Sequence, residues 1–169
     1  MEYSIIYSKR KTLAISVKDG AVIVRAPRGL KKGRIEFYVE KHRSWIEKSL
    51  ERVKRESELV SAMSEREIAE LKKSAKIYFK DKIELYSNIM GLKYSRMRIT
   101  SAKKRFGSCS SAGNISFSYR LMLYPEAARE YVVVHELAHL VHMNHSADFY
   151  ALIAKYMPDY KERKKLLKQ

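Results

Sequence analysis

Apolar and polar residues alternate along two short segments near the start of the chain, which is the pattern of half-buried strands. The segments are 12–17 and 21–26, and the Asp19-Gly20 pair between them favours a tight hairpin turn. The sequence therefore predicts an N-terminal antiparallel sheet of two or three strands. Apolar residues at helical spacing then run through 33–54, and we expect Trp45 within that helix to lie in the core.

A second stretch with helical spacing is longer. Ser64 and Glu67 have the spacing of a capping box, and the apolar stripe continues from there to Gly91. The polar segment 57–64 is expected to be a connector before this helix. After it the period returns to two, which predicts strands at 96–100, 106–110 and 114–119.

The segment 127–142 is apolar on almost every side, which predicts a buried central helix. His135, Glu136 and His139 nevertheless lie within it, with the spacing His-Glu-x-x-His. Burial of these groups is unfavourable unless a ligand satisfies them. Two histidines four apart on a helix converge on one point, and the glutamate between them can reach a water bound there, so the pattern predicts the zinc site of a hydrolase.

A catalytic zinc ion takes three protein ligands and keeps one position open, so a third ligand is needed. His142 shares the helical face but stands about 10 Å along the axis from His135, which is too far. We expect the chain to leave the helix near Asn144 and turn back, so that His145 completes the set and Ser146 caps a new helix. Carboxylates that remain fallback ligands are Asp148, Asp159 and Glu162.

Peptide hydrolysis is the natural reaction of such a site. Zinc lowers the pKa of its bound water to about 7 and polarises a carbonyl oxygen. Glu136 then takes the proton as general base and delivers it to the leaving amine. The chain is therefore predicted to be a zinc metallopeptidase with a protein or peptide substrate. The group that stabilises the oxyanion stays open among three candidates: Arg120, Tyr150 and Tyr156.

The formal net charge of +16 is concentrated in two segments. Residues 1–55 carry an excess of +9 and residues 96–120 an excess of +6, whereas 56–95 is neutral and 121–169 carries +1. A surface charged only for solubility would spread its charge more evenly. We therefore consider DNA or another nucleic acid as a hypothetical partner. The candidate contact residues are Lys9, Arg10, Lys11, Lys103, Lys104 and Arg105.

Membrane association and disulfide bonding are not expected. The sequence has no run of about 18 apolar residues, and its first residues lack the basic-then-apolar layout of a signal peptide. Cys109 is the only cysteine, which suits a reducing compartment, and we expect a cytoplasmic protein. With 169 residues, 46% of them hydrophobic, the chain can bury a core and is expected to form one unit.

Several segments taken together resemble the YgjP-like metallopeptidase family, which is related to the SprT-like zinc metalloproteases. The matching segments are 24–29, 41–46, 105–115, 131–139, 143–146 and 158–160. The resemblance implies an α+β, zincin-like fold in which an antiparallel sheet packs on helices around a central His-Glu-x-x-His helix. It implies one domain over 1–169, with an N-terminal β-hairpin lobe at 1–30, a helical scaffold at 31–92 and a zincin core at 93–169.

The same resemblance implies His135, His139 and His145 as metal ligands and Glu136 as catalytic base. It also implies that the strands around 106–119 lie beside the cleft, where a substrate backbone adds as an extra strand. Candidate substrate-binding residues are Phe106, Gly107, Ser108 and Arg120. Phe106 stands where the family usually has tryptophan.

Two rival interpretations remain. One is a basic nucleic-acid-binding module with a structural metal site and little hydrolytic activity, although a structural site has no need of Glu136. It can be combined with the first interpretation, as a peptidase that acts on nucleic-acid-associated proteins. The other is a protein that keeps the fold while its activity is negligible or awaits a partner.

Overall fold

A computed structural model describes residues 1–18 and 20–167 of the chain. Asp19 of the expected hairpin turn and the end of the basic tail, Lys168 and Gln169, lie outside the described residues. The described residues form six strands, six α-helices and one 3-10 helix. In chain order these are β1 (Ser4–Ser8), β2 (Ala14–Lys18), β3 (Ala21–Pro27), α1 (Lys32–Lys41), α2 (Arg43–Ser61), α3 (Glu65–Met90), β4 (Arg96–Thr100), β5 (Gly107–Cys109), β6 (Asn114–Ser118), the 3-10 helix (Tyr119–Leu123), α4 (Glu126–Ala138), α5 (Ala147–Tyr156) and α6 (Tyr160–Leu166).

The chain divides into two compact units, Met1–Leu59 and Val60–Leu167. In the first unit β3 is the central strand, with β1 parallel to it and β2 antiparallel. The second unit repeats this arrangement, with β6 central, β4 parallel to it and β5 antiparallel. Both sheets are mixed. The expected antiparallel pairing of 12–17 with 21–26 is present as β2 with β3, but the expectation of wholly antiparallel sheets is wrong. Alternation shows which face of a strand is buried, but not the direction of its neighbour.

The helical stretch expected through 33–54 is interrupted at His42. The Nδ1 atom of His42 lies 2.7 Å from the carbonyl oxygen of Tyr38, and α2 starts directly after this break. α2 then continues to Ser61, so most of the expected connector is helical. Trp45 is 42% exposed, and the expectation that it lies in the core is wrong. Its neighbour Ile46 takes the buried position instead.

α3 begins and ends as the sequence predicts. The Ser64 hydroxyl accepts a hydrogen bond from the Glu67 backbone, and the Glu67 carboxylate accepts one from the Ser64 backbone. The helix ends at Gly91, whose φ of 66° suits glycine. α3 is 26 residues long, yet no helix within the described ranges is long and apolar enough to cross a bilayer.

The core of the second unit surrounds α4. Phe79 of α3 stacks on Phe117 of β6 with ring centroids 4.7 Å apart, and both side chains are fully buried. α4 contacts α3 on one side, and it also contacts β5, α5 and α6. A helix enclosed in this way must be apolar over most of its surface, which accounts for the sequence of α4.

Candidate metal centre

The expectation of a buried helix after Pro125 is confirmed. Glu126 lies in the first turn of α4, and most side chains of its second half are buried. The helix ends at Ala138 rather than at 142, because the next hydrogen bonds, from Leu140 to Leu137 and from Val141 to Ala138, span three residues instead of four. This tight last turn directs the chain away from the helix axis.

The three histidines expected to be ligands lie together. The Nε2 atoms of His135 and His145 are 3.1 Å apart, and one ligand atom from each of His135, His139 and His145 falls within 4.8 Å of the others. The prediction that Ser146 caps a new helix is confirmed, since its hydroxyl accepts a hydrogen bond from the Phe149 backbone. The Phe149 ring is fully buried and lies 4.6–5.0 Å from each imidazole centroid, so it forms the floor of the cluster.

The outer ring nitrogens of two of the histidines are held by neighbours. Nδ1 of His135 lies 3.3 Å from the Tyr131 hydroxyl, and Nδ1 of His139 lies 3.0 Å from the backbone carbonyl of His142. With a proton on each Nδ1, the imidazoles donate outward and present Nε2 to the centre of the cluster. His142 therefore contributes a carbonyl oxygen here, in keeping with its exclusion as a ligand.

Burial disfavours the charged form of two of the imidazoles, those of His135 and His145. It lowers the pKa of His135 to about 3, and repulsion from His139 and His145 adds to the effect. Burial also lowers the pKa of His145. Neutral imidazole nitrogens are metal ligands, and a tetrahedral zinc ion with Zn–N bonds of about 2.0–2.1 Å separates its nitrogens by about 3.3 Å. The residues fit a metal ion, since one pair is near that separation and a modest contraction brings in the third.

Glu136 lies against the backbone of β5. A Cβ atom added at Gly107 would stand 2.6 Å from Oε1 of Glu136 and 2.7 Å from its Cγ, so only glycine allows this contact. Glu136 is 5% exposed, and burial raises its pKa to about 8 although Arg105 opposes the shift. A buried carboxyl group with a strongly raised pKa beside convergent imidazoles is typical of a catalytic site.

The other candidate substrate residues take different places. Phe106 packs edge-on against Tyr124, with centroids 4.9 Å apart. Ser108 faces away from the Gly107 side of β5, and its hydroxyl is 2.7 Å from that of Ser116. Arg120 is buried, and its guanidinium carbon lies 5.6 Å from the centre of the Tyr119 ring.

One oxyanion candidate adjoins the histidine cluster. The Tyr150 ring stacks on His145 with centroids 6.2 Å apart, and its hydroxyl lies 3.4 Å from Nζ of Lys164. Two fallback carboxylates are engaged in ion pairs, Asp159 with Arg163 and Glu162 with Lys165. Tyr131 and Phe149 also border the histidine cluster, although no motif in the sequence points to them. The place of Tyr131 one turn before His135, on the same face, is the signal that could have identified it.

The basic candidate residues lie in loops of both units. Residues 9–11 connect β1 to β2, where Lys9 and Lys11 are exposed. Residues 103–105 connect β4 to β5 and are all exposed.

The three imidazoles form a group that could hold a metal ion, and the helix that carries two of them also carries the buried Glu136. The family model described as "YgjP-like, metallopeptidase domain" matches residues 11–71 and 61–169. The chain belongs to this family of metallopeptidases, so the resemblance read from the sequence is confirmed.

One solved structure is similar to part of the chain. It is described as the crystal structure of the metallopeptidase zymogen of Pyrococcus abyssi abylysin. The two are 27% identical over 52% of this chain and 89% of that one, with a TM-score of 0.47. The comparison with curated proteins found no match.

Proposed function

We propose that this metallopeptidase is a zinc enzyme of zincin-like fold, with His135, His139 and His145 as ligands and Glu136 as general base. The observation that carries the proposal is the convergence of three imidazoles, two of which, His135 and His139, have outer contacts that direct Nε2 inward. A zinc ion bound there would polarise the scissile carbonyl and make water more acidic. Imidazole ligands in a tetrahedral arrangement suit zinc best among the common metals.

Glu136 supplies the proton transfer. Its carboxyl group is protonated over much of the neutral range in the protein without metal, and a divalent cation nearby favours the ionised form. The ionised carboxylate takes a proton from water and passes it to the leaving amine. A buried carboxyl group of this kind has no use in a structural metal site, which favours the peptidase over a binding module with little activity.

The substrate binds as an extended chain along β5. This strand is at the edge of its sheet, with β6 on one side. A peptide that adds to the other side of β5 runs past Gly107, and hence past Glu136. Tyr150 is the oxyanion donor we favour, because its ring stacks on His145. We further propose a cytoplasmic location, which the free thiol of Cys109 supports.

Metal content and proteolysis, measured on the same samples, test the ligand set. Purified protein is stripped of metal, loaded with zinc, dialysed and assayed for bound zinc and for cleavage of an unfolded protein. We expect about one zinc per chain and cleavage that is lost with the metal.

The matched variants are His145→Ala and His142→Ala. The first removes a proposed ligand, and the second removes a nearby imidazole but keeps the carbonyl that orients His139. We expect His145→Ala to lose both zinc and cleavage, and His142→Ala to keep both. Retention of stoichiometric zinc by His145→Ala would overturn the ligand set.

A further inference from the structure

The second sheet has one polar face on which two arginines, Arg96 and Arg98, have no part in the proposed peptidase chemistry. The register pairs Arg98 with Ser116 and Ser116 with Ser108, so these three side chains form a row across β4, β6 and β5. Arg96 pairs with Asn114 in the next row on the same face. The alternate residues, such as Ile115 and Phe117, face the core.

This face is positively charged. Arg96, Arg98 and Arg105 are exposed, and within the described residues none of the three forms an ion pair. Segment 96–120, which carries the face, contains no acidic residue. The side chains line an open cleft with a volume of about 470 Å³. Its polar lining consists of Arg96, Arg98, Arg105, Ser108, Ser110, Asn114 and Ser116.

The chemistry of the lining matches phosphate groups. Guanidinium groups bind phosphate oxygens through paired hydrogen bonds, and the exposed amide of Asn114 beside them can donate another. Arg96 and Arg98 stand about 6.6 Å apart along one strand, which is comparable to the spacing of successive phosphates on one nucleic-acid strand. A protein partner would need apolar anchor groups, but Ile115, the large aliphatic residue of the lining, is 1% exposed.

We propose that this arginine face, defined as Arg96, Arg98 and Asn114 with the neighbouring Arg105, binds the phosphate backbone of a nucleic acid. The side chains contact phosphate groups and not base edges, so we expect binding to be independent of base sequence. The inference rests on the proposed function in one respect: β5 carries this face on one side and Gly107 beside Glu136 on the other. Nucleic acid bound here would hold the peptidase near proteins on the same strand.

Binding of a fluorescent 20-base-pair DNA duplex, followed by polarisation in a salt series, tests the face on the full chain. The test variant is Arg96→Gln/Arg98→Gln. The control is Lys73→Gln/Lys76→Gln, which removes the same charge from exposed positions of α3 in the same unit. Each phosphate contact contributes about −0.9 to the slope of log affinity against log salt. We expect the arginine variant to bind at least about tenfold more weakly at 50 mM salt, with a slope shallower by about 1.8. The control should stay near wild type in slope.

Three outcomes would overturn the proposal. The arginine variant could match the lysine control, or wild type could fail to bind DNA at low salt. Alternatively, polyglutamate could displace the duplex as well as unlabelled DNA at equal charge, which would point to an acidic protein partner. Thermal melting of both variants checks that they fold. His145→Ala separates the two proposals, since it should lose zinc but bind the duplex like wild type.

Discussion

The two ends of α4 differ in whether their glutamates have partners of opposite charge. At the N-terminal end, Glu130 receives hydrogen bonds from Lys82 of α3 and Arg163 of α6, and Lys82 also lies 2.9 Å from Glu126. At the C-terminal end, Glu136 is buried against the backbone of β5, on the same helix as His135. Basic side chains of the chain neutralise the carboxylate of Glu130, whereas no such hydrogen bonds are made to the carboxyl group of Glu136 within the described residues.

The two glutamates show what this difference means. Burial alone would raise the pKa of Glu130, but its hydrogen bonds with Lys82 and Arg163 outweigh burial and hold the pKa below its ordinary value. Burial raises the pKa of Glu136 to about 8 because the opposing effect of Arg105 is smaller. The same residue type on the same helix is structural where partners neutralise it, and is available for chemistry where they do not.

The largest expected effect is that of Glu136→Gln on hydrolysis. Removal of the general base should lower the rate of peptide cleavage about 1000-fold, because general-base catalysis contributes about 10²–10⁴-fold. Zinc content and melting temperature should stay near wild type. The matched control is Glu130→Gln, one to two turns earlier on α4, which should keep most of the activity. Normal cleavage by Glu136→Gln would refute the assigned role.

Gly107→Ala tests the contact between β5 and Glu136. The added methyl group would meet the Glu136 carboxyl at 2.6 Å and displace it, so we expect kcat to fall about 100-fold while zinc stays bound. The pH profile of kcat should also shift, which a general loss of stability would not produce. Gly33→Ala is the control, since its new methyl group meets no atom within 4 Å. An unchanged profile in Gly107→Ala would show that the contact does not position the base.

Glu130→Gln should lower the free energy of unfolding by about 2 kcal/mol at pH 7, because it breaks two charge-assisted hydrogen bonds of a largely buried carboxylate. A carboxyl group whose pKa is lowered by folding stabilises the protein above its unfolded pKa of about 4.3, and this contribution is lost as the pH falls through the lower folded value. Urea unfolding of metal-free protein should therefore show a difference that shrinks below about pH 4. A difference that is the same at pH 7 and pH 3 would contradict the ion-pair explanation.

The smallest expected effect is that of Tyr131→Phe on zinc affinity. Loss of the hydroxyl that contacts Nδ1 of His135 should weaken zinc binding about tenfold, the lower end of the range for such outer contacts. Competition with a chelating dye measures it independently of activity. Tyr156→Phe serves as control and should bind zinc like wild type. Equal zinc affinities for the two variants would show that the Tyr131 hydroxyl does not help to hold the metal.

Local features of the fold could be read from the sequence because neighbouring residues determine them. The capping box of Ser64 and Glu67, the helix after Pro125 and the cap at Ser146 all depend on hydrogen bonds within a few residues. The convergence of His135 and His139 follows in the same way from helical spacing.

Other features depended on segments that are distant in the sequence. The parallel pairing of β1 with β3 and the exposure of Trp45 come from packing that no single segment encodes. The nearness of Gly107 to Glu136 is of the same kind, and so is the row of Arg98, Ser116 and Ser108. The sequence by itself thus predicted that His135 and His139 converge and where most of the helices lie, since both follow from short-range periodicity. Only the tertiary structure decided which strand meets the base and which side chains share a face, because those contacts arise from the pairing of strands and the close packing of α4 on its neighbours.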